Sequence, residues 1–196
     1  MGCSSNPLTC IPNCQRADLK NLDLSNMELS QVTFAGANLS NSNLSGANLS
    51  GVDLSSANLT EANLNGATLN NAFLPNAILW GANLTETNLN NADMIGVNLF
   101  GATLLDTILT QANLHSAELY GAHLENVDLS GAKLVKAVLV GVDLRNTKLQ
   151  NADLRYANLS GSNLANLDLT STDLTHAILW DATLDGAILT NETIQK

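Results

Sequence analysis

The sequence predicts an all-β fold of three-residue β segments joined by two-residue turns, repeated in one register along the chain. Three observations predict it: leucine at every fifth position, a small residue two places before each leucine, and glycine or asparagine two places after it. The stretch GANLSNSNLSGANLSGVDLSSANL, Gly36 to Leu59, shows all three.

The leucine spacing excludes a helix. Steps of five advance a side chain about 500° around a helix, so successive leucines spiral and no apolar face survives. In a strand, the residue two before each leucine shares its face, but the next pair begins after a gap of three, and a corner must fall there. Each pentad therefore reads as inward, outward, inward, turn, turn. The turn residues agree. Every glycine except Gly2 occupies the second turn position, and Asn21, Asn41, Asn71, Asn91 and Asn126 share it; these residue types tolerate positive φ best. Pro75-Asn76 supplies the type II pairing, proline first and a left-handed-tolerant residue second. From Leu19 to Ile194 the centre recurs for 36 pentads without insertion or deletion, departing from leucine only at Phe34, Met94 and Ile194.

The A-[DN]-L-x-x array from Ala17 to Ile194 resembles the pentapeptide repeat proteins. The resemblance implies a right-handed quadrilateral parallel β-helix of about twenty residues per coil, hence about nine four-sided coils. Residues twenty apart then stack, which places Trp80, Phe100, Tyr120 and Trp180 at one corner. Leu39, Leu59, Leu79, Leu99 and Leu119 form one core ladder. The inward small positions differ in character: one column is nearly all alanine from Ala17 to Ala177, whereas another holds Met27, Thr87, Thr107, Val127, Thr147 and Leu167. Nine coils at ~4.8 Å make a rod roughly 43 Å long. Burial of one leucine offsets only part of the ordering cost of its pentad, so backbone ladders and stacked side chains such as Asn38 above Asn58 must supply the rest. Stability is then additive between neighbouring coils.

The domain organisation follows: residues 1–16 form a non-repetitive N-terminal cap and residues 17–196 the β-helix. The cap covers an end that would otherwise expose strand edges, and Leu22, Met27 and Val32 widen the shaft there. Cys10 and Cys14, spaced C-x3-C, either close a small loop as a disulfide or sit reduced as weakly apolar side chains; two cysteines without nearby histidines fall short of a four-ligand metal site. A disulfide favours an oxidising compartment, periplasm or thylakoid lumen, over cytoplasm. Gly-Cys-Ser-Ser at the start resembles a processed bacterial lipoprotein and marks Cys3 as a candidate lipid-bearing residue, against a plain tail. At the other end, Glu192 stands where alanine belongs: either a polar plug closes the last coil, or that coil pairs with a second copy in a homodimer. No apolar run approaches the ~18 residues that cross a bilayer, so no transmembrane segment is expected.

Catalysis, metals and cofactors are not expected. His115, His123 and His176 fall on separate sides or corners of the rod, and carboxylates such as Asp93 and Asp153 point outward from flat walls. Exposed charge pairs are expected at Lys148 between Asp128 and Asp168, at Lys133 with Asp153, and at Glu125 with Arg145.

The remaining functional reading is a surface. The family includes acidic members that resemble B-DNA and bind type II topoisomerases, and this chain has a formal net charge of −10. DNA of the same length would carry about 25 charges, and the acids here are scattered over four faces with Lys and Arg interleaved from Lys133 to Arg155, so direct nucleic-acid binding and close DNA mimicry are disfavoured. The sharper feature is an exposed stripe of Ile78, Trp80, Phe100, Tyr120, Val138 and Val140, with Trp180 further along. Soluble monomers seldom expose such a patch without a use. The expectation is a non-enzymatic scaffold binding a protein partner there, against stacking that merely stabilises neighbouring coils.

Overall fold

The computed structural model describes residues 9–189, and within them the chain winds as a continuous four-sided coil. Every bridge is parallel and joins residues twenty apart. Side A carries the outward residues Asp18 to Ile178 in steps of twenty, side B Asp23 to Thr183, side C Glu28 to Ile188 and side D Asn13 to Asp173. Each side contributes one bridging residue per coil, because three extended residues between corners leave room for no longer strand.

The hydrogen bonds follow the pentad. Leu99 N–H donates to the Glu118 carbonyl at 2.7 Å, Asn98 N–H to Ala77 at 3.0 Å in the opposite direction, and Gly101 N–H to Tyr120 at 3.1 Å across the corner; Ala102 N–H closes the turn on the Leu99 carbonyl at 3.0 Å. The second turn residue has positive φ at every corner from Arg16 to Gly186 except Gln31, Asn146 and Ser171, and twenty non-glycine residues hold it at 54–62°. With the turn bond this is the type II geometry expected from Pro75-Asn76. The core is the leucine shaft itself: Leu39, Leu59, Leu79, Leu99 and Leu119 are fully buried, with alanine between them.

Polar groups inside the shaft are paired by the turns. Ser42, Thr147 and Ser162 hydroxyls donate to the leucine carbonyl three residues back, while Thr87, Thr107 and Thr172 reach the preceding coil. Outside, Asn63 donates to Asn43 and Asn83 to Asn63, both at 3.2 Å, extending a ladder from Asp23. Asn38 and Asn58 are bridged through backbone only; the Asn38 amide donates to Asp18 and the Asn58 oxygen accepts from Thr60.

The repeat starts one pentad earlier than its leucines show. Asn13 bridges Thr33, Cys14 N–H donates to the Thr33 carbonyl at 2.9 Å, Arg16 has φ 56°, and Cys14 is fully buried in the leucine position. Pro12 to Arg16 is thus a first pentad, so the coil begins inside the segment assigned to the cap. Cys10 and Cys14 are joined by a disulfide, Cα–Cα 4.8 Å, which ties the preceding chain to the first core position. Closing so short a loop is worth about 2 kcal/mol in chain entropy, so Cys10→Ser should lower stability by roughly that amount, and dithiothreitol should lower the melting temperature of the native chain but not of the variant. Cys3, Glu192 and Ile194 lie outside the described residues. In the last described coil Leu179, Leu184 and Leu189 are half-buried.

The coils are not uniform. Turns that place alanine inward have N–H···O distances of 2.8–3.1 Å, whereas the distance is 3.2 Å at Val52, 3.3 Å at Val142 and Leu167 and 3.4 Å at Met27, although Val32 and Val97 keep the shorter spacing. At Val127 no such bond forms. The ladder opens in the same region: Leu124 and Asp143 amides lose their partners on side B, and His123–Asp143 and Lys148–Asp168 do not bridge. Two local rotations account for part of this. Without positive φ, Asn146 and Ser171 turn the peptides before them off the ladder, so Asn126 N–H no longer meets the Arg145 carbonyl, and Asn151 N–H takes the Ser171 hydroxyl at 3.2 Å instead. Val127, Thr147 and Leu167 stack in the bulkiest inward column beside these positions, where the turn bond is absent at Val127 and long at Leu167. The result is a seam across sides B and C.

Candidate interaction surface

The corner between sides A and B carries the aromatic column. Trp80 meets Phe100 edge to face at 5.6 Å, and Phe100 stacks on Tyr120 at 5.5 Å with planes 22° apart. All three remain well exposed, 55%, 39% and 50%. They stack because the turn's first residue projects from the corner and the next coil repeats it about 4.8 Å below. Ile78 lies exposed beside Trp80 on side A, and half-buried Val138 and Val140 continue the ridge below Tyr120. Trp180, 78% exposed, stands apart, separated from Val140 by Ser160. The stripe therefore forms a continuous ridge over four coils, with Trp180 as an isolated ring beyond it.

Two features of the surface escape a residue-by-residue reading. Tyr156 and His176 stack at 5.0 Å at the corner between sides D and A, both with φ 60°; their twenty-residue spacing was the available signal. Beside the aromatic column, Gly81, Gly101, Gly121, Gly141 and Gly161 form a run of five bare second turn positions. No other corner stacks more than two glycines consecutively. Where the track meets the seam, Gly121 and Gly141 border an open cleft of about 420 Å³ that also reaches His123, Asp143 and Arg145.

The ion pairs are mostly made within a pentad. Arg145 grips Asp143 with its side-chain nitrogens at 2.6–3.1 Å rather than meeting Glu125, and Arg155 grips Asp153 at 2.7–2.8 Å. An outward residue and the first turn residue two places on project side by side, so a long guanidinium folds back before it reaches the next coil. These hydrogen bonds hold the Asp143 and Asp153 carboxyls below the usual range. Lys133 is bridged to Asp153 through backbone and lowers its carboxyl further by charge alone. Lys148 reaches Asp128 at 3.3 Å, but Asp168 is capped by Thr170 and its bridge to Lys148 is absent. Partial burial raises the Asp128 carboxyl, and hydrogen bonds from Ser130 and Lys148 outweigh it, leaving it lowered.

Charge is segregated around the rod. Over the five coils from Ala57 to Tyr156, sides A and B with the corners that follow them carry Glu61, Glu86, Asp106, Glu118, Glu125 and Asp143 against Arg145 alone, a formal −5. The opposite half carries Asp93, Asp128 and Asp153 against Lys133, Lys136, Lys148 and Arg155, a formal +1. The interleaving expected from sequence order thus resolves in space into an acidic and a near-neutral half. His115 and His176 share one corner but lie three coils apart, with His123 on side B. Among the described residues no three His, Cys, Asp or Glu side chains gather in a metal-binding group, and no helix is long and apolar enough to cross a membrane.

No curated protein sequence matches the chain. Among solved structures, HetL, a pentapeptide repeat protein involved in heterocyst differentiation regulation from the cyanobacterium Nostoc sp. strain PCC 7120, is 32% identical over 89% of this chain and 86% of its own, with a TM-score of 0.58. A trypsin-treated form of QnrB1, a plasmid-mediated fluoroquinolone resistance protein, is 21% identical over 89% of each chain at a TM-score of 0.67, and full-length QnrB1 is 21% identical over 87% and 81% at 0.64. The QnrB1 likeness shows the fold alone. The family model for pentapeptide repeats matches in eight copies, over residues 13–51, 37–74, 62–101, 92–131, 122–155 and 152–191. With its five-residue period, its parallel bridges twenty residues apart and these matches, the chain belongs to the pentapeptide repeat family.

Proposed function

We propose that this protein is a non-enzymatic scaffold, a right-handed four-sided rod whose ridge of Ile78, Trp80, Phe100, Tyr120, Val138 and Val140 binds a protein partner. The observation that carries the reading is the exposure of three stacked rings on a rigid corner. Ring stacking of this kind is worth about 0.5–1.5 kcal/mol per pair, whereas a partner that covers the same rings gains the apolar area they still expose, about half of each ring. Trp80→Ser with Phe100→Ser should therefore lower the melting temperature by only a few degrees and abolish partners captured by proximity labelling with the native chain. A large loss of stability with unchanged partners would assign the rings to coil stacking alone.

A second reading, an acidic binder of a type II topoisomerase, draws support from the −5 charge on the side A and B half. A gyrase supercoiling assay separates the two: inhibition that survives the ridge variant but is lost on neutralising Glu86, Asp106 and Glu125 would favour it.

A further inference from the structure

The glycine track beside the ridge has no conformational explanation. Twenty other residues, asparagine most often, hold positive φ at the same turn position, so φ alone does not require five glycines in succession at one corner. A Cβ would find open space at Gly101, Gly141 and Gly161, and only ordinary contact at Gly81 and Gly121. Packing does not require them either. Their common effect is to leave backbone uncovered along five coils, a length of roughly 19 Å from first to last.

What the track exposes is mainly carbonyl oxygen, the Gly121 N–H without a ladder partner being the exception. Among the described residues none of the five glycine carbonyls accepts a hydrogen bond. One margin of the track is the ring column of Trp80, Phe100 and Tyr120. Glu61 stands in the track's own column one coil before Gly81, Glu118 lies on side A, and Glu86, Asp106 and Glu125 lie across side B; the one Lys or Arg in that half over these coils is Arg145, which is held by Asp143. Free carbonyls, carboxylates and the π systems of Trp and Tyr all attract the same group, a guanidinium or ammonium on a chain thin enough to lie on bare backbone.

We infer that this corner docks an extended arginine- or lysine-rich segment of the partner, lying along the glycine track with its cations over the rings. The inference rests on the interaction reading above and adds the partner's chemistry. Electrostatic complementarity selects the sign of the occupant, and the missing side chains select its backbone approach.

The test uses the Trp180→Phe chain, in which Trp80 is the only tryptophan and reports directly on the ridge. The probes are the capped hexapeptides (Arg-Pro)3 and (Glu-Pro)3, each spanning roughly 19 Å when extended. The arginine peptide should change Trp80 emission saturably, bind more weakly as salt rises, and lose about tenfold in affinity when Gly101→Asn and Gly121→Asn fill the track. Asparagine holds φ of 55–62° at this turn position elsewhere, so circular dichroism and melting temperature should remain those of the parent. Equal binding of both peptides, no binding of the arginine peptide, or affinity unchanged by the asparagine pair would overturn the inference. If the arginine peptide fails while Trp80→Ser with Phe100→Ser still loses the native partner, the ridge remains an interaction surface and only the basic segment is refuted.

Discussion

Replacing Leu99 by alanine is expected to destabilise the rod by about 2–5 kcal/mol, the range for emptying a fully buried leucine site. Leu99 is fully buried between Leu79 and Leu119, and its amide and the turn it opens are both bonded into the ladder. The cavity cannot collapse easily, because each coil is held at fixed spacing by the walls above and below. The same change at Leu184, half-buried in the last described coil, should cost less than half as much. Urea unfolding followed by circular dichroism measures both: a lower midpoint at unchanged slope reports lost stability, and a changed slope at Leu99→Ala would mean that the rod unfolds in parts. Equal costs at the two sites would contradict stability carried by neighbouring coils.

The second large effect is local. Leu124, Asn126, Asp143 and Leu149 amides have no ladder partner, whereas Leu99 and Leu84 donate at 2.7 Å. Amides in intact walls exchange with solvent only through large openings, and those at the seam need only a local one. Hydrogen exchange at these four positions should be on the order of 100-fold faster than at Leu84 and Leu99. Val127→Ala, which restores the alanine found at most inward positions, should slow exchange at Leu124 and Asp143 by closing the turn on the Leu124 carbonyl. Uniform protection along the chain would show the seam to be closed in solution.

Much of this architecture was legible in the sequence because one rule, five residues per side, leaves no freedom in which side chains face inward. The leucine shaft, the positive-φ corners and the aromatic column all follow from counting. The start of the coil was hidden, since Pro12 and Cys14 occupy the alanine and leucine positions without resembling them. The seam was hidden for a different reason: asparagine fits both turn types, so Asn126 and Asn146 look alike until the peptide before Asn146 is seen turned away. Stacking twenty residues apart places Lys148 on Asp128 and Lys133 beside Asp153 correctly, but it misses Arg145, because the side-by-side projection of residues two apart lets Asp143 take the guanidinium before Glu125 can. Each glycine of the track is explained by its φ when taken singly, and the grouping of five at one corner shows only in the assembled coil. The candidate surface was therefore legible as a ridge of rings and not as a ridge with a bare track beside it.

Because every bridge links residues twenty apart, the chain counts in quarter turns. Removing twenty residues shortens the rod by one storey and leaves each remaining wall aligned with itself, whereas removing five rotates everything downstream by ninety degrees while every leucine still points inward. Such a deletion between Gly81 and Phe100 would leave a folded molecule with its rings swung round to two different compass points.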